Sequence, residues 1–191
     1  IARKHAQILG TGMVDGARLV AVCDPQRDRA EALAGQYDTT AFFDMHDMRA
    51  ARAADIDVLV ILTESGLHAP HAIALAPYGK HLVVEKPMAL TLEDADAMIA
   101  ACDQAGVKLF VVKQNRYNLP VQKLREAVDG GRFGKLTMGT VRVRWARDQA
   151  YYDQDAWRGT WAMDGGGALM NQSVHQVDLL IWYMGPVETV A

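Results

Sequence analysis

Four short apolar runs constrain this chain more than any other feature. They are residues 18–23 (RLVAVC), 57–62 (DVLVIL), 81–84 (HLVV) and 108–112 (KLFVV). Each has strand length, is rich in β-branched residues and lacks polar alternation, as strands covered on both faces of a parallel sheet do. A shorter run at 40–42 predicts one more strand. Helical patterns separate them: residues 1–10, 26–36 with Ala30, Leu33 and Ala34 on one side, and 67–78. A further helix opens at Thr91, presents Ala95, Met98, Ile99 and Cys102 on one face, and stops at Gly106. Strands alternating with such helices predict βαβ units and a Rossmann-type, doubly wound parallel α/β sheet.

The pattern changes after residue 113. Residues 120–129 read as a helix starting at Pro120. Residues 136–145 end in the apolar–polar alternation of an antiparallel strand covered on one face, and a helix is predicted near 168–184. The expected division is a dinucleotide-binding domain over 1–114 and the start of an α+β domain with an open, mainly antiparallel sheet over 115–191. Against a norm of about 150 residues per domain, 191 residues make one large domain or two small ones.

Composition excludes several classes. With 50% hydrophobic and 23% charged residues, the chain is neither disordered nor fibrous. A net charge of −3 gives no electrostatic case for nucleic acid or an anionic membrane. No apolar stretch approaches the roughly 20 residues of a membrane helix. The opening Ile1-Ala2-Arg3-Lys4-His5 is not an apolar leader, and Cys23 and Cys102 read as small buried residues, not as a disulfide. A cytoplasmic location is therefore expected.

Asp24 ends the first predicted strand. Such an acid can accept hydrogen bonds from an adenosine ribose, and its charge would favour NAD over NADP; it can equally cap the following helix. A G-x-G-x-x-G loop is absent from the sequence. Glu85-Lys86-Pro87 stands at the carboxyl end of the 81–84 strand, where open α/β sheets bind ligands. A partly buried Lys86 would have a lowered pKa suited to proton transfer; the competing reading is an exposed turn with an ion pair.

In the helix near 168–184, about 100° per residue puts Met170, Val174, Val177, Ile181 and Met184 on one stripe. That stripe is expected to face the core. Asn171, His175 and Asp178 fall on another, where Asp178 could orient His175 as a base. A surface His175–Asp178 pair and a metal site are the alternatives. No second cluster of His or Cys supplies further ligands, so no metal is expected. Gly165-Gly166-Gly167 would let backbone approach a ligand closely. Gln114, Asn115 and Arg116 follow the 108–112 strand towards the edge that carries Lys86. Arg158, between aromatic residues, suits a phosphate or carboxylate, and Tyr151, Tyr152, Trp157 and Trp161 suit stacking. The alternative for that loop is a packed lid without a ligand.

Taken together, RLVAVCDP at 18–25, LTESGLH at 62–68, EKPMALT at 85–91 and GGGALMNQSVHQVDLL at 165–180 resemble the Gfo/Idh/MocA family of NAD(P)-dependent sugar oxidoreductases. VVKQNRYN at 111–118 and residues 151–180 are most similar to its UDP-N-acetylglucosaminuronate 3-dehydrogenase branch, which serves bacterial polysaccharide synthesis. The resemblance implies hydride transfer from a secondary sugar hydroxyl to NAD. It implies that Asp24 holds the ribose and that Thr63, Ser65 and His68 line the cofactor, with Glu64 where the family usually has Pro. Glu85 and Lys86 would stand by the nicotinamide ribose, with Lys86 also reaching substrate. Gln114, Trp157 and Arg158 would contact the cofactor, and Asn115, Arg116 and Asn171 the substrate. His175 would be the base, with Lys86 sharing its proton network and Asp178 in support. Other sugar or inositol dehydrogenases are the alternative activity. A non-catalytic sensing relative is disfavoured by Lys86, His175 and Asp178 occurring together. The family's glycine loop and first strand would precede Ile1, and most of its second sheet, through which a homo-oligomer is expected, would follow Ala191. A segment so placed is expected to fold marginally and to bind NAD weakly by itself.

Overall fold

The computed structural model describes residues 1–190. Five strands and nine α-helices run in the order α1 (Ala2–Gly10), β1 (Ala21–Cys23), α2 (Arg27–Gln36), β2 (Thr40–Phe42), α3 (Met45–Arg52), β3 (Val58–Ile61), α4 (His68–Leu75), β4 (His81–Val84), α5 (Leu92–Ala105), β5 (Leu109–Val111), α6 (Leu119–Asp129), α7 (Gln149–Tyr152), α8 (Trp161–Asp164) and α9 (Val174–Met184). All pairing is parallel. β1 pairs with β2 in the register Ala21↔Thr40, and β4 lies between β3 and β5, with Leu82 opposite Leu59 and Leu109. No ladder joins the two sheets among the described residues. All five predicted strands form, within three residues of their expected limits.

The three-stranded sheet holds the core. Leu82 and Val84 of β4 are fully buried, with Leu59 and Ile61 beside them. Ala72 of α4 and Met98 and Cys102 of α5 cover that cluster. Local chemistry sets the helix ends. Asp44 caps α3 by accepting from the amides of His46 and Asp47, and Thr91 caps α5 through Asp94. Gly106, at φ +65°, closes α5 in a left-handed turn. Ile99, expected on the inner face of α5, points outward at 46% exposure. Both cysteines are free thiols. No helix among the described residues is long and apolar enough to cross a membrane.

Two expectations about the later segment fail. Residues 136–145 form no strand. Side-chain alternation can shape an edge, but a strand needs a partner for its amides, and the described residues offer none. The segment packs instead on α9, where a β-carbon at Gly139 would stand 2.9 Å from Leu180 Cδ1. The predicted 168–184 helix also divides: residues 168–173 form a π-helical turn before α9. The stripe expected to face the core is largely turned out, with Val177, Ile181 and Met184 38–43% exposed and Met170 and Val174 half-buried. Asn171 and His175 are the buried pair. Periodicity distinguished two stripes; a polar site on the opposite side decided which one turned inward.

Replacing the fully buried Leu82 by Ala should cost about 2–5 kcal/mol of unfolding free energy, whereas Ile99→Ala should stay within about 0.5 kcal/mol. Urea denaturation of the two variants against the parent measures both; equal losses would contradict this core.

Candidate active site

The parallel ladder brings Glu85 and Lys86 to the carboxyl edge of the three-stranded sheet, before a cis Lys86–Pro87 peptide. Glu85 is buried. Its Oε1 accepts from His5 Nε2 of α1 at 3.0 Å, and its Oε2 accepts from the Lys86 amide at 3.0 Å. Burial alone would push this carboxyl up. The two hydrogen bonds and the nearby charges of His5 and Lys86 outweigh it, holding Glu85 below the ordinary glutamate range.

Lys86 reaches across to the segment before α9. Its Nζ donates to the backbone oxygen of Asn171 at 2.8 Å and to Asn171 Oδ1 at 3.2 Å. Burial pulls the Lys86 pKa down, the charges of Glu85 and Asp164 pull it back, and Arg158 and Lys113 add to the fall; the net shift is downward. Asn171 in turn donates from Nδ2 to Asp164 Oδ1 at 2.6 Å. His175, 8% exposed, makes no hydrogen bond among the described residues. Burial and the positive charges of Lys86 and Lys113 lower its pKa, more than Glu85 and Asp178 restore. The result is an imidazole shifted towards its neutral form and a lysine that is itself short of solvation.

Asp178 does not orient His175. It takes both donors of a guanidinium fork, Arg116 Nε at 2.8 Å and Nη2 at 2.7 Å, with Lys113 Nζ 3.9 Å away. A planar guanidinium satisfies both carboxylate oxygens at once, which a single imidazole nitrogen cannot. Arg116 is thus fixed by Asp178 and lies over the Trp182 ring.

The remaining predicted residues divide between structural and available groups. His68 is fully buried, with Nδ1 2.7 Å from the Pro87 oxygen and Nε2 3.1 Å from the Thr63 oxygen. Each ring nitrogen faces a backbone carbonyl oxygen, so a neutral ring donates to one of the two. Ser65 is buried as well, while Thr63 is exposed, with its hydroxyl 3.2 Å from His71 Nδ1. Gln114 and Asn115 lie on a 3₁₀ turn at Gln114–Tyr117, directly after β5; Gln114 is exposed. Arg158 donates to Tyr151 Oη and Asp155 and stacks on Tyr151 and Trp157, so much of that loop packs on itself. Trp161 is largely exposed. The triglycine turn accommodates that same residue: a β-carbon at Gly166 (φ +100°) would stand 2.5 Å from Trp161 Cζ3.

Asp24 ends β1, in the other sheet. One carboxylate oxygen accepts from the Gln26 amide at 2.8 Å, a local turn bond that leaves α2 without a side-chain cap, and Oδ2 has no partner among the described residues. A free carboxylate oxygen at the end of a parallel strand suits ribose hydroxyls, so the residues fit NAD. No group of three or more His, Cys, Asp or Glu among the described residues could hold a metal ion. His5 and Asp164 were not anticipated. His5 is 80 positions from its partner, and Asp164 carried no signal beyond preceding the glycines.

Parallel strands ending in Asp24 and in Glu85-Lys86 define a Rossmann-type dinucleotide-binding unit. The chain belongs to the Gfo/Idh/MocA oxidoreductase family: residues 1–113 match its NAD-binding Rossmann-fold domain, and residues 121–191 its C-terminal domain. The structure is similar to that of the WlbA dehydrogenase from Bordetella pertussis, determined with NADH and UDP-GlcNAcA, at 46% identity and a TM-score of 0.91 over 98% of this chain and 53% of that one. The chain is 31% identical to inositol 2-dehydrogenase from Rhizobium meliloti, over 100% of this chain and 54% of that protein. It is 37% identical to 1-carboxy-3-chloro-3,4-dihydroxycyclohexa-1,5-diene dehydrogenase from Comamonas testosteroni, over 66% and 31%. The chain thus spans about a third to a half of the length of these relatives.

Because the folded state holds Glu85 below its ordinary pKa, the His5–Glu85 bond stabilises above the ordinary glutamate range, and that stability is lost as pH falls through the folded value. His5→Ala should cost about 1–3 kcal/mol at pH 7. The difference from the parent should shrink towards zero as Glu85 protonates. Thermal melts across pH check this; a difference that persists in acid would contradict it.

Proposed function

We propose that the full-length protein oxidises a secondary hydroxyl of a sugar with NAD, and that the hydroxyl is O3 of a UDP-linked N-acetylated hexuronic acid. The observation that carries the reading is the buried Lys86–Asn171 contact at the carboxyl edge of a parallel sheet, with the buried His175 four residues beyond Asn171. The 46% identity with WlbA, determined with UDP-GlcNAcA, supports the finer substrate assignment. The matching division of the chain is a dinucleotide domain at 1–114 and a substrate domain from 115.

NAD, when bound, supplies the hydride acceptor. His175 takes the hydroxyl proton: its ring is unpartnered, and burial first, then the Lys86 and Lys113 charges, lower its pKa, which favours the free base at neutral pH. Lys86, anchored on Asn171, orients the hydroxyl and shares the proton. Arg116, locked by Asp178, offers its outer guanidinium edge to an anionic part of the substrate. A second reading, oxidation of an inositol, is favoured by the likeness to inositol 2-dehydrogenase. Such a substrate carries no anionic group for Arg116 or Arg158.

With full-length protein, NAD and a panel of UDP-sugars and inositols, absorbance at 340 nm should rise with the UDP-N-acetylhexuronate and not with inositol; the reverse would select the second reading. H175N and K86M should each lower kcat by about 10²–10⁴-fold while NADH binding persists. Unchanged turnover in both would overturn the assignment. The His175 pKa is lowered and the free base is the active form. The acid limb of kcat/KM should therefore have its midpoint below the ordinary histidine value, with rate rising as pH increases through it.

A further inference from the structure

Behind the Lys86–Asn171 contact stands a third residue. Asp164 closes α8 and is 3% exposed. Its two carboxylate oxygens each take one donor, Asn171 Nδ2 at 2.6 Å and the Gly159 amide at 2.8 Å. No cation touches it among the described residues. An asparagine amide is nearly symmetric in shape, and only its partners decide which end is oxygen. Asp164, an acceptor on both oxygens, commits the NH₂ end of Asn171 to itself. The oxygen end therefore faces Lys86 Nζ. A flipped amide would set donors against an ammonium and present its own oxygen to a carboxylate.

We propose that Asp164 is a positioning residue for Lys86, fixing through the Asn171 amide where Nζ stands and placing a buried negative charge behind it. The inference rests on the reading in which Lys86 takes part in the oxidation. The other charges that act on Lys86 are already in place. Glu85, the residue before it, is engaged by His5; Arg158 and Lys113 are cations; and His175 on α9 feels its charge. Asp164 is thus the carboxylate that opposes the two cations from the side of the second segment.

The test uses full-length protein. D164N keeps the shape and removes the charge. The exchange D164N/N171D moves the carboxylate one residue closer to Lys86 while every donor keeps an acceptor. The first readout is the pH midpoint of Lys86 acetylation by acetic anhydride, followed by peptide mass spectrometry. The second is kcat, with NADH affinity by fluorescence as control. D164N should lower the midpoint by about one pH unit. It should also lower kcat by about 10–100-fold, with NADH affinity within about threefold. The exchange should return the midpoint to the parental value or above, which repair of packing alone would not do. An unmoved midpoint in D164N, or one left low by the exchange, overturns the proposal. Should D164N alone fail to fold, the exchange variant decides by the same criterion. A midpoint that moves while turnover does not would leave Asp164 as the positioner of Lys86 and remove Lys86 from the chemistry.

Discussion

One ammonium group joins the two halves of this site. Lys86 arrives on the most buried strand of the parallel sheet and donates twice to Asn171, 85 positions later. The strand is rigid because its neighbours pair on both sides and its inward side chains are fully buried. A long, flexible side chain on so fixed a base is restrained only when its end is also bound, and Asn171 binds it. The segment before α9 is therefore tied to the sheet edge by a polar contact.

Desolvation sets the chemistry of the cluster. Each carboxylate of the cluster has its own donors: the buried Glu85 takes His5 and an amide, the buried Asp164 takes Asn171 and an amide, and the part-buried Asp178 takes Arg116. Buried charges without such partners would be costly. With the acids engaged, the imidazole of His175 is left without a partner and is pushed towards its neutral form by burial and, after it, by the charges of Lys86 and Lys113. A base kept free in this way needs no dedicated carboxylate behind it. That accounts for a site in which the aspartate one turn away serves an arginine instead.

Much of the fold was legible because strands buried on both faces write themselves as unbroken apolar runs. All five appear where those runs stand, and the Glu85-Lys86 edge follows from them. What escaped was pairing at long range. Nothing local links His5 with Glu85, or Arg116 with Asp178. Alternation at 136–145 reported a surface with one wet side but not whether an adjacent strand existed. The two stripes of α9 were separable by period, yet period alone could not say which would be covered. His68 illustrates the same limit: its ring lies between the backbone carbonyls of Pro87 and Thr63, a placement with no local signal.

The π-helical turn at 168–173 has a bearing on how such a site changes over time. A π turn accommodates one residue more than an α turn of the same rise, and each residue of an α-helix contributes about 100° of rotation. Excising the codon for Gln172 or Ser173 would shorten the spacing of Asn171 and His175 from four residues to three and swing one about 100° relative to the other. The two would no longer point the same way, though every side chain needed for the site would still be encoded. Point substitutions elsewhere grade the performance of this site; a one-residue change of length between Asn171 and His175 would dismantle it.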